Sequence, residues 1–474
     1  MIADGVANAL TMLQLVEREL LVFAAFWFIL GMADEMAIDL GWLWLRLTGR
    51  AKAKRLPFTF GHDSLAGRVA IFVPAWHESA VIGAMLRHTL DAWRQPELTI
   101  YVGCYRNDPV TIAAAMAGVG HDTRVRLVIH DAAGPTTKAD CLNRLYAAMS
   151  DDEARTAKPY RSVVFHDAED LVHPAALGQI DRALREVDFV QLPVRPEPQV
   201  GSRWIAGHYA DEFCEAHAKT LVLRNALRAG IPAAGVGCGF ARSALGDLAR
   251  QRRLEGEIGP FAAECLTEDY ELGLLVSRSP RGSRFLRVRD SSGALVATRS
   301  YFPATLPDAV RQKTRWVHGI AFQSWERLGW SGRWTDIWMA LRDRRGPLTA
   351  LVLAAAYLLL VIEAVLWGAQ ALGWHAGLAA SPMLRAMLAL SLVGFVWRAV
   401  FRFGFTASEY GTSEGLRSVV RIPLSNIVAI MAGRRAFMAY FRSLWGDGVI
   451  WEKTAHDALP APAPILRAVP QVAR

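Results

Sequence analysis

From about residue 65 to residue 330, two hydrophobic periodicities alternate along the chain. Short apolar, β-branched runs, RVAIFVPA (68–75), LTIYVGC (98–104), VRLVIH (125–130), RSVVFHD (161–167) and DFVQLPV (188–194), read as strands. Between them, SAVIGAMLRHTLDAWR (79–94) and KADCLNRLYAAM (138–149) carry helical spacing. This alternation predicts an α/β domain whose mainly parallel sheet is covered by helices. Ligands of such sheets bind beyond the carboxyl ends of the strands. Three of those ends are polar here: WHES (76–79), YRND (105–108) and HDAED (166–170).

Outside that region the pattern is apolar over membrane lengths. LLVFAAFWFILGMA (20–33) continues toward Leu47, PLTALVLAAAYLLLVIEAVLWGAQAL (347–372) is broken only by Glu363, and MLRAMLALSLVGFVWRAVF (383–401) follows. We expect each to cross a membrane. Asp34, Glu35 and Asp39 then lie near one membrane face or against other helices. The stretch 416–445 mixes apolar residues with Arg417, Arg421, Arg434, Arg435 and Arg442, which predicts helices lying at the interface. Basic residues follow the first span (Arg46, Arg50, Lys52, Lys54, Arg55), precede the second (Arg342, Arg344, Arg345) and close the third (Arg398, Arg402), whereas the 373–382 loop has none. The positive-inside rule places residues 50–345 and the C-terminus in the cytoplasm and the N-terminus outside. No cleavable signal is evident. The expected domains are a membrane segment with a basic linker (1–60), a cytoplasmic domain (61–335), membrane and interfacial helices (336–455) and a flexible Pro/Ala tail (456–474).

The 474 residues are 52% apolar and carry a formal charge of +8, but Lys and Arg gather beside apolar runs rather than in one stripe, which favours a membrane over nucleic acid. Cys104, Cys141, Cys214, Cys238 and Cys265 form no CxxC pair and read as buried thiols in a reducing compartment. The first turn, PAWHES, lacks the GxGxxG that a dinucleotide requires, and no GxxxxGK[ST] is present. Phosphates would instead be held through Mg²⁺ or Mn²⁺, which takes oxygen ligands. Asp167 and Glu169, in D-x-E spacing at a strand end, are placed to reach one ion; the same acidic triplet also suits a helix cap, Asp170 in particular. In LTEDYELG (266–273), Asp269 buried beside a substrate would be a general base, whereas an exposed Glu268–Asp269 pair would only favour a helix dipole. Gln312, Arg315 and Trp316 share one helical face; a guanidinium suits a diphosphate and an indole suits the apolar face of a sugar ring. Alone, that helix reads as an amphipathic interface.

Taken together and in order, D-x-E, T-E-D and Q-x-x-R-W resemble the membrane-bound inverting family 2 glycosyltransferases, the group of cellulose and hyaluronan synthases, over about residues 60–330. VPAWHES is similar to that family's first strand and turn. GVGCGFAR (235–242) resembles its acceptor loop, here Gly237, Cys238 and Gly239. LLVFAAFWFILGMADEMAIDL, YRNDP, HDAEDLVHP and WEKTAH (451–456) are similar to bacterial phage-adsorption-type inner-membrane glycosyltransferases. The resemblance implies a GT-A fold and a UDP-sugar with its uridine near Ala75, Glu78 and Asp108 and with Lys138 beside the nucleotide. It further implies Mg²⁺ or Mn²⁺ on Asp167 and Glu169, Asp269 as base, and Gln312, Arg315 and Trp316 at the diphosphate and acceptor. The implied acceptor is a growing surface or exported polysaccharide, with an outer-membrane export partner. Single-sugar transfer to a lipid carrier and a non-enzymatic export or phage-receptor role are the alternatives. No C-terminal nucleotide-sensing domain is expected in this polypeptide. Plainer readings stand beside these: Glu78 caps the 79–94 helix, Lys138 is a solvated first-turn lysine, Asp108 opens a turn with Pro109, and His166, His173 and His318 pack or hydrogen-bond.

Overall fold

A seven-stranded sheet forms the centre of the computed structural model, which describes residues 2–57, 64–330, 332–374, 380–445 and 459–460. WEKTAH, most of the 456–474 tail and residues 375–379 of the 373–382 loop lie outside the described residues. The strands are β1 (Val69–Pro74), β2 (Leu98–Tyr105), β3 (Val125–His130), β4 (Ser162–Phe165), β5 (Phe189–Gln191), β6 (Cys238–Ala241) and β7 (Ser283–Phe285). Their order is β3-β2-β1-β4-β6-β5-β7. Only β6 runs antiparallel to its neighbours, β4 and β5. The expectation of a mixed α/β domain with a mainly parallel sheet therefore holds.

Every residue from Val69 to Val73 is buried, which is why β1 reads as an unbroken apolar run. Val69, Ile71 and Val73 enter one hydrophobic layer with Ile82, Met85 and Leu86 of the Ile82–Ala92 helix. Ala70 and Phe72 enter the opposite layer with Leu142, Leu145 and Met149 of the Lys138–Thr156 helix. DFVQLPV splits where the sequence reading had one strand. After Gln191 the chain passes Pro193, which cannot donate a ladder hydrogen bond, and Val194–Pro196 pairs instead with Thr298–Ser300.

Among the described residues, three helices are long and apolar enough to cross a membrane, within Gly5–Leu47, Gly346–Ala371 and Pro382–Tyr410. The 416–445 stretch forms two helices, Thr412–Val420 and Ile422–Leu444, bent by 52°; together they pass the same test and would make a fourth, broken span. Arg421 is 1% exposed and holds Asp211 through two hydrogen bonds of 2.9 and 2.7 Å, tying these helices to the α/β domain.

Asp34, Glu35 and Asp39 of the first helix face other helices. Asp34 accepts from Trp338 Nε1 at 2.7 Å, and Glu35 pairs with Arg342 and Arg398, both at 2.8 Å. Glu35, Asp39 and Glu215 lie close enough to share a cation. That position is taken by the ammonium of Lys219, 2.5 Å from Asp39, 2.6 Å from Glu215 and 3.6 Å from Glu35. Buried charges persist only when paired in this way.

Candidate active site

Strand ends and helix starts converge on one cleft. β1 delivers Ala75, Trp76 and Glu78, β2 ends at Tyr105, and the Lys138–Thr156 helix begins with Lys138. That helix starts where it does because Thr137 Oγ1 accepts from the Asp140 N–H at 3.2 Å. β4 leads into Asp167 and Glu169, and the Glu268–Ser277 helix presents Glu268 and Asp269. The last wall is the Leu306–Val317 helix, opened by Thr305 as N-cap with Pro307 in its first turn. It turns Gln312, Arg315 and Trp316 toward the cleft and buries Ala309 and Val310. Gly319, just beyond, permits the close approach of T-E-D and Q-x-x-R-W: a Cβ there would lie 2.4 Å from Thr267 Oγ1.

The cleft is a charge cluster with a lysine at its centre. Lys138 Nζ donates to Asp167 Oδ1 at 2.5 Å. Burial pulls the lysine's pKa down, but the carboxylates of Asp167, Glu268 and Asp269 outweigh it and hold the pKa above the usual value. Lys138 is thus an ion-paired residue of the cleft, its side chain 19% exposed, and not a solvated first-turn lysine. Burial, with the charge of Asp269 beside it, pushes Glu268 up to about 7. Burial also raises Asp269, with Lys138 opposing and Asp167 adding to the rise. Asp269 Oδ1 accepts from the Tyr270 N–H at 2.7 Å. The bare face of Gly235, at φ +76°, lies against its other oxygen, where a Cβ would come within 2.5 Å. Gln312 Oε1 is buried with no hydrogen-bond partner among the described residues, an acceptor left for a ligand.

The donor set fits a hard divalent cation. Asp167 and Glu169 bring carboxylate oxygens to the same wall, and Asp167 already neutralises a cationic group there. Asp170 plays another part and caps no helix. Its Oδ2 accepts from the Asp167 N–H at 2.9 Å and meets His166 Nδ1 at 3.1 Å, so it shapes the turn that presents Asp167. The following helix, Ala176–Ala183, has no side-chain cap.

Ala75, Glu78, Lys138, Asp167, Glu169, Asp269, Gln312, Arg315 and Trp316 all line the cleft. Glu78 does not cap the Ile82–Ala92 helix, which has no side-chain cap. Asp108 is not part of the lining. It caps the Pro109–Val119 helix by accepting from the Thr111 N–H, and it accepts from the His77 N–H at 2.7 Å, so it positions the WHES turn. Gly237, Cys238 and Gly239 do not line the cleft either, because Cys238 and Gly239 belong to buried β6 and a Cβ on Gly237 would meet Thr298; Ala234 and Val236 supply the wall from that segment. His166, His173 and His318 are not in its lining. The sequence reading missed Trp76, Tyr105, Tyr301 and Phe302, all in the lining. Trp76 and Tyr105 end apolar runs and Tyr301 and Phe302 follow the Thr298–Ser300 strand, positions that an inward-packing ring occupies equally well.

The chain belongs to the glycosyltransferase-like family 2, whose family model matches residues 66–319, more than half of its length. Bacteriophage adsorption protein B of Escherichia coli (strain K12) is 32% identical over 410 residues, 82% of this chain and 54% of that protein. Bacteriophage N4 adsorption protein B of Escherichia coli O157:H7 matches to the same extent, 32% over 410 residues. The chain spans about half the length of the curated relatives it matches. Among solved structures, mannosyltransferase PcManGT from Pyrobaculum calidifontis in complex with GDP-Man and Mn²⁺ superposes with a TM-score of 0.49 at 16% identity, covering 86% of this chain and 99% of that one. Glucosyl-3-phosphoglycerate synthase from Mycobacterium tuberculosis, with Mn²⁺, UDP and phosphoglyceric acid, gives 0.30 at 18%, covering 50% and 72%. Family membership and the observed sheet agree with the GT-A architecture that the resemblance implied.

Proposed function

We propose that the protein is an inverting, metal-dependent glycosyltransferase of a bacterial inner membrane, moving a sugar from a UDP-sugar to a growing surface or exported polysaccharide. One observation carries this reading: Asp167 with Glu169, Asp269, and Gln312 with Arg315 and Trp316 come from distant parts of the chain and line one cleft. The relatives' names connect them to phage adsorption, which a surface polysaccharide would serve.

In this mechanism Arg315 and Lys138 offset the diphosphate's charge. Trp316, half-buried against Tyr209 and Phe213, offers the acceptor sugar a rigid apolar face. Asp269 takes the acceptor hydroxyl's proton as that oxygen bonds to the anomeric carbon from the side opposite the diphosphate. The carbon–oxygen bond to the diphosphate breaks, and the nucleoside diphosphate leaves with its electron pair. One displacement inverts the centre. Asp167 and Glu169 would hold Mg²⁺ or Mn²⁺, which when bound neutralises charge on the departing diphosphate.

Loop charge supports the orientation, and ion pairs bring the span ends together. Asp34 and Glu35 near the end of the first span meet Arg342 and Arg345 before the second and Arg398 late in the third. All three span ends therefore share one level, the basic side that the positive-inside rule assigns to the cytoplasm.

The test is incubation of the purified full chain with Mn²⁺ and a panel of radiolabelled nucleotide sugars, followed by product sizing. A ladder of sugar additions from a UDP-sugar supports the reading. Addition of one sugar to lipid replaces the polysaccharide acceptor with a lipid carrier, and absence of transfer from every donor overturns the enzymatic reading.

A further inference from the structure

A second cavity, about 840 Å³ in volume, lies between the edge strand β7, the end of the Glu268–Ser277 helix and the Trp334–Arg344 helix. The Glu268–Ser277 helix begins in the active cleft and ends here, so about 15 Å of helix separates the two. Seven arginines line the cavity against two carboxylates, Glu186 and Asp336. Both carboxylates are already paired, Glu186 with Arg284 at 2.8 Å and Asp336 with Arg333 at 3.3 Å. Arg224 and Arg281 are satisfied by carboxylates behind the wall, Asp343 and Asp188. Arg228, Arg278 and Arg344 remain, with no carboxylate in ion-pair range among the described residues.

Arg344 carries the argument. It is 7% exposed. Its Nη2 donates to the Ser324 carbonyl at 2.9 Å, but Nε and Nη1 are buried with no hydrogen-bond partner among the described residues. Trp330 covers the guanidinium at 4.5 Å. A guanidinium does not shed its proton, so these are cationic donors held away from water. Such donors call for an acceptor, and an oxyanion bearing several oxygens matches them.

The position narrows the source. Arg344 stands two residues before Gly346, where the second membrane-length helix begins, a rise of about 3 Å. Trp325, 52% exposed, lies 5.9 Å from its guanidinium, as indoles do at a membrane–water boundary. Basic pockets at that level take lipid head groups.

We propose that this cavity binds a phosphate group through Arg344, Arg228 and Arg278, supplied by an anionic phospholipid head group or by a soluble phosphate compound. The proposal stands independently of the sugar-transfer reading. Thermal unfolding of the full chain in neutral detergent with EDTA tests it, with phosphatidylglycerol, phosphatidylcholine, inorganic pyrophosphate or chloride at matched ionic strength added. Phosphatidylglycerol or pyrophosphate should raise Tm where phosphatidylcholine and chloride do not. A response to phosphatidylglycerol alone assigns the lipid source, and one to pyrophosphate alone the soluble source. The double variant Arg228→Gln, Arg278→Gln, which leaves the buried Arg344 in place, should weaken the apparent affinity at least tenfold, and Arg344→Gln should abolish the response. Binding of UDP at the active cleft should be unchanged in the double variant. No stabilisation by either phosphate probe, or the same stabilisation in the double variant as in the parent, overturns the proposal.

Discussion

Lys138 occupies the carboxylate that a divalent cation would use. Its ammonium lies 2.5 Å from Asp167, and three carboxylates keep it protonated. Asp167→Asn should therefore weaken Mn²⁺-dependent UDP binding at least tenfold, about 1.4 kcal/mol, with little change in Tm. Calorimetry with and without Mn²⁺ checks this, and unaltered metal-dependent binding would remove Asp167 from the site. The Glu268–Asp269 pair makes a second prediction. Both groups are raised by burial, Glu268 to about 7. A general base works deprotonated, and burial raises Asp269, so the acid limb of kcat/KM should lie above the ordinary aspartate value of about 4. Glu268→Gln removes a carboxylate beside Asp269 and should move the acid limb to lower pH. An acid limb that stays in place in that variant would show that Glu268 does not set it.

At the scale of elements, what was legible follows from where polar residues interrupt a periodicity. D-x-E stood out because it ends β4, T-E-D because it starts a helix, and Q-x-x-R-W because its spacing lies on one helical face. Trp76, Tyr105, Tyr301 and Phe302 were illegible because an aromatic ring at a strand end looks the same whether it packs inward or faces a cleft. Asp108 misled because a short carboxylate beside a turn serves the backbone as readily as a ligand, and Asp170 because its backbone partner is the Asp167 turn before it rather than the helix after it. β6 was hidden because GVGCGFAR is rich in glycine, and only its antiparallel pairing with β4 and β5 makes it a strand. The part of that segment with functional weight is Gly235. Gly235→Ala would be strained at φ +76° and would press on Asp269 Oδ2. We expect a kcat loss of about 10²-fold, the scale of a mispositioned catalytic group, with the donor KM nearly unchanged. Steady-state kinetics decide; a rise in donor KM with kcat preserved would mean that Gly235 serves the nucleotide rather than the base.

Across the whole molecule, the catalytic domain and the membrane helices are one charged assembly. Lys219 binds carboxylates of the first helix, and Asp211 binds Arg421 and Arg402. None of these pairs was readable, since each joins residues far apart in the chain; only the clusters of charge beside apolar runs were. The pairs fix which span ends lie together, so the orientation is testable at a few positions. All five native cysteines are buried and give a low labelling background. In intact cells a membrane-impermeant thiol reagent should label Ala380→Cys and not Lys52→Cys. The reverse pattern would place the cleft on the wrong side for a cytoplasmic sugar nucleotide.

The central claim is that this assembly holds Asp269 where a sugar hydroxyl loses its proton. Asp269→Asn keeps the size of the side chain and an oxygen for the Tyr270 N–H, but cannot accept that proton. Its role belongs to the transition state, so binding and rate should separate. The measurement is UDP-sugar affinity and UDP release, on wild type and Asp269→Asn side by side. The account predicts affinity within about threefold of wild type and UDP release slowed at least about 10²-fold. Near-normal release by Asp269→Asn would contradict it and leave T-E-D as no more than the start of a helix.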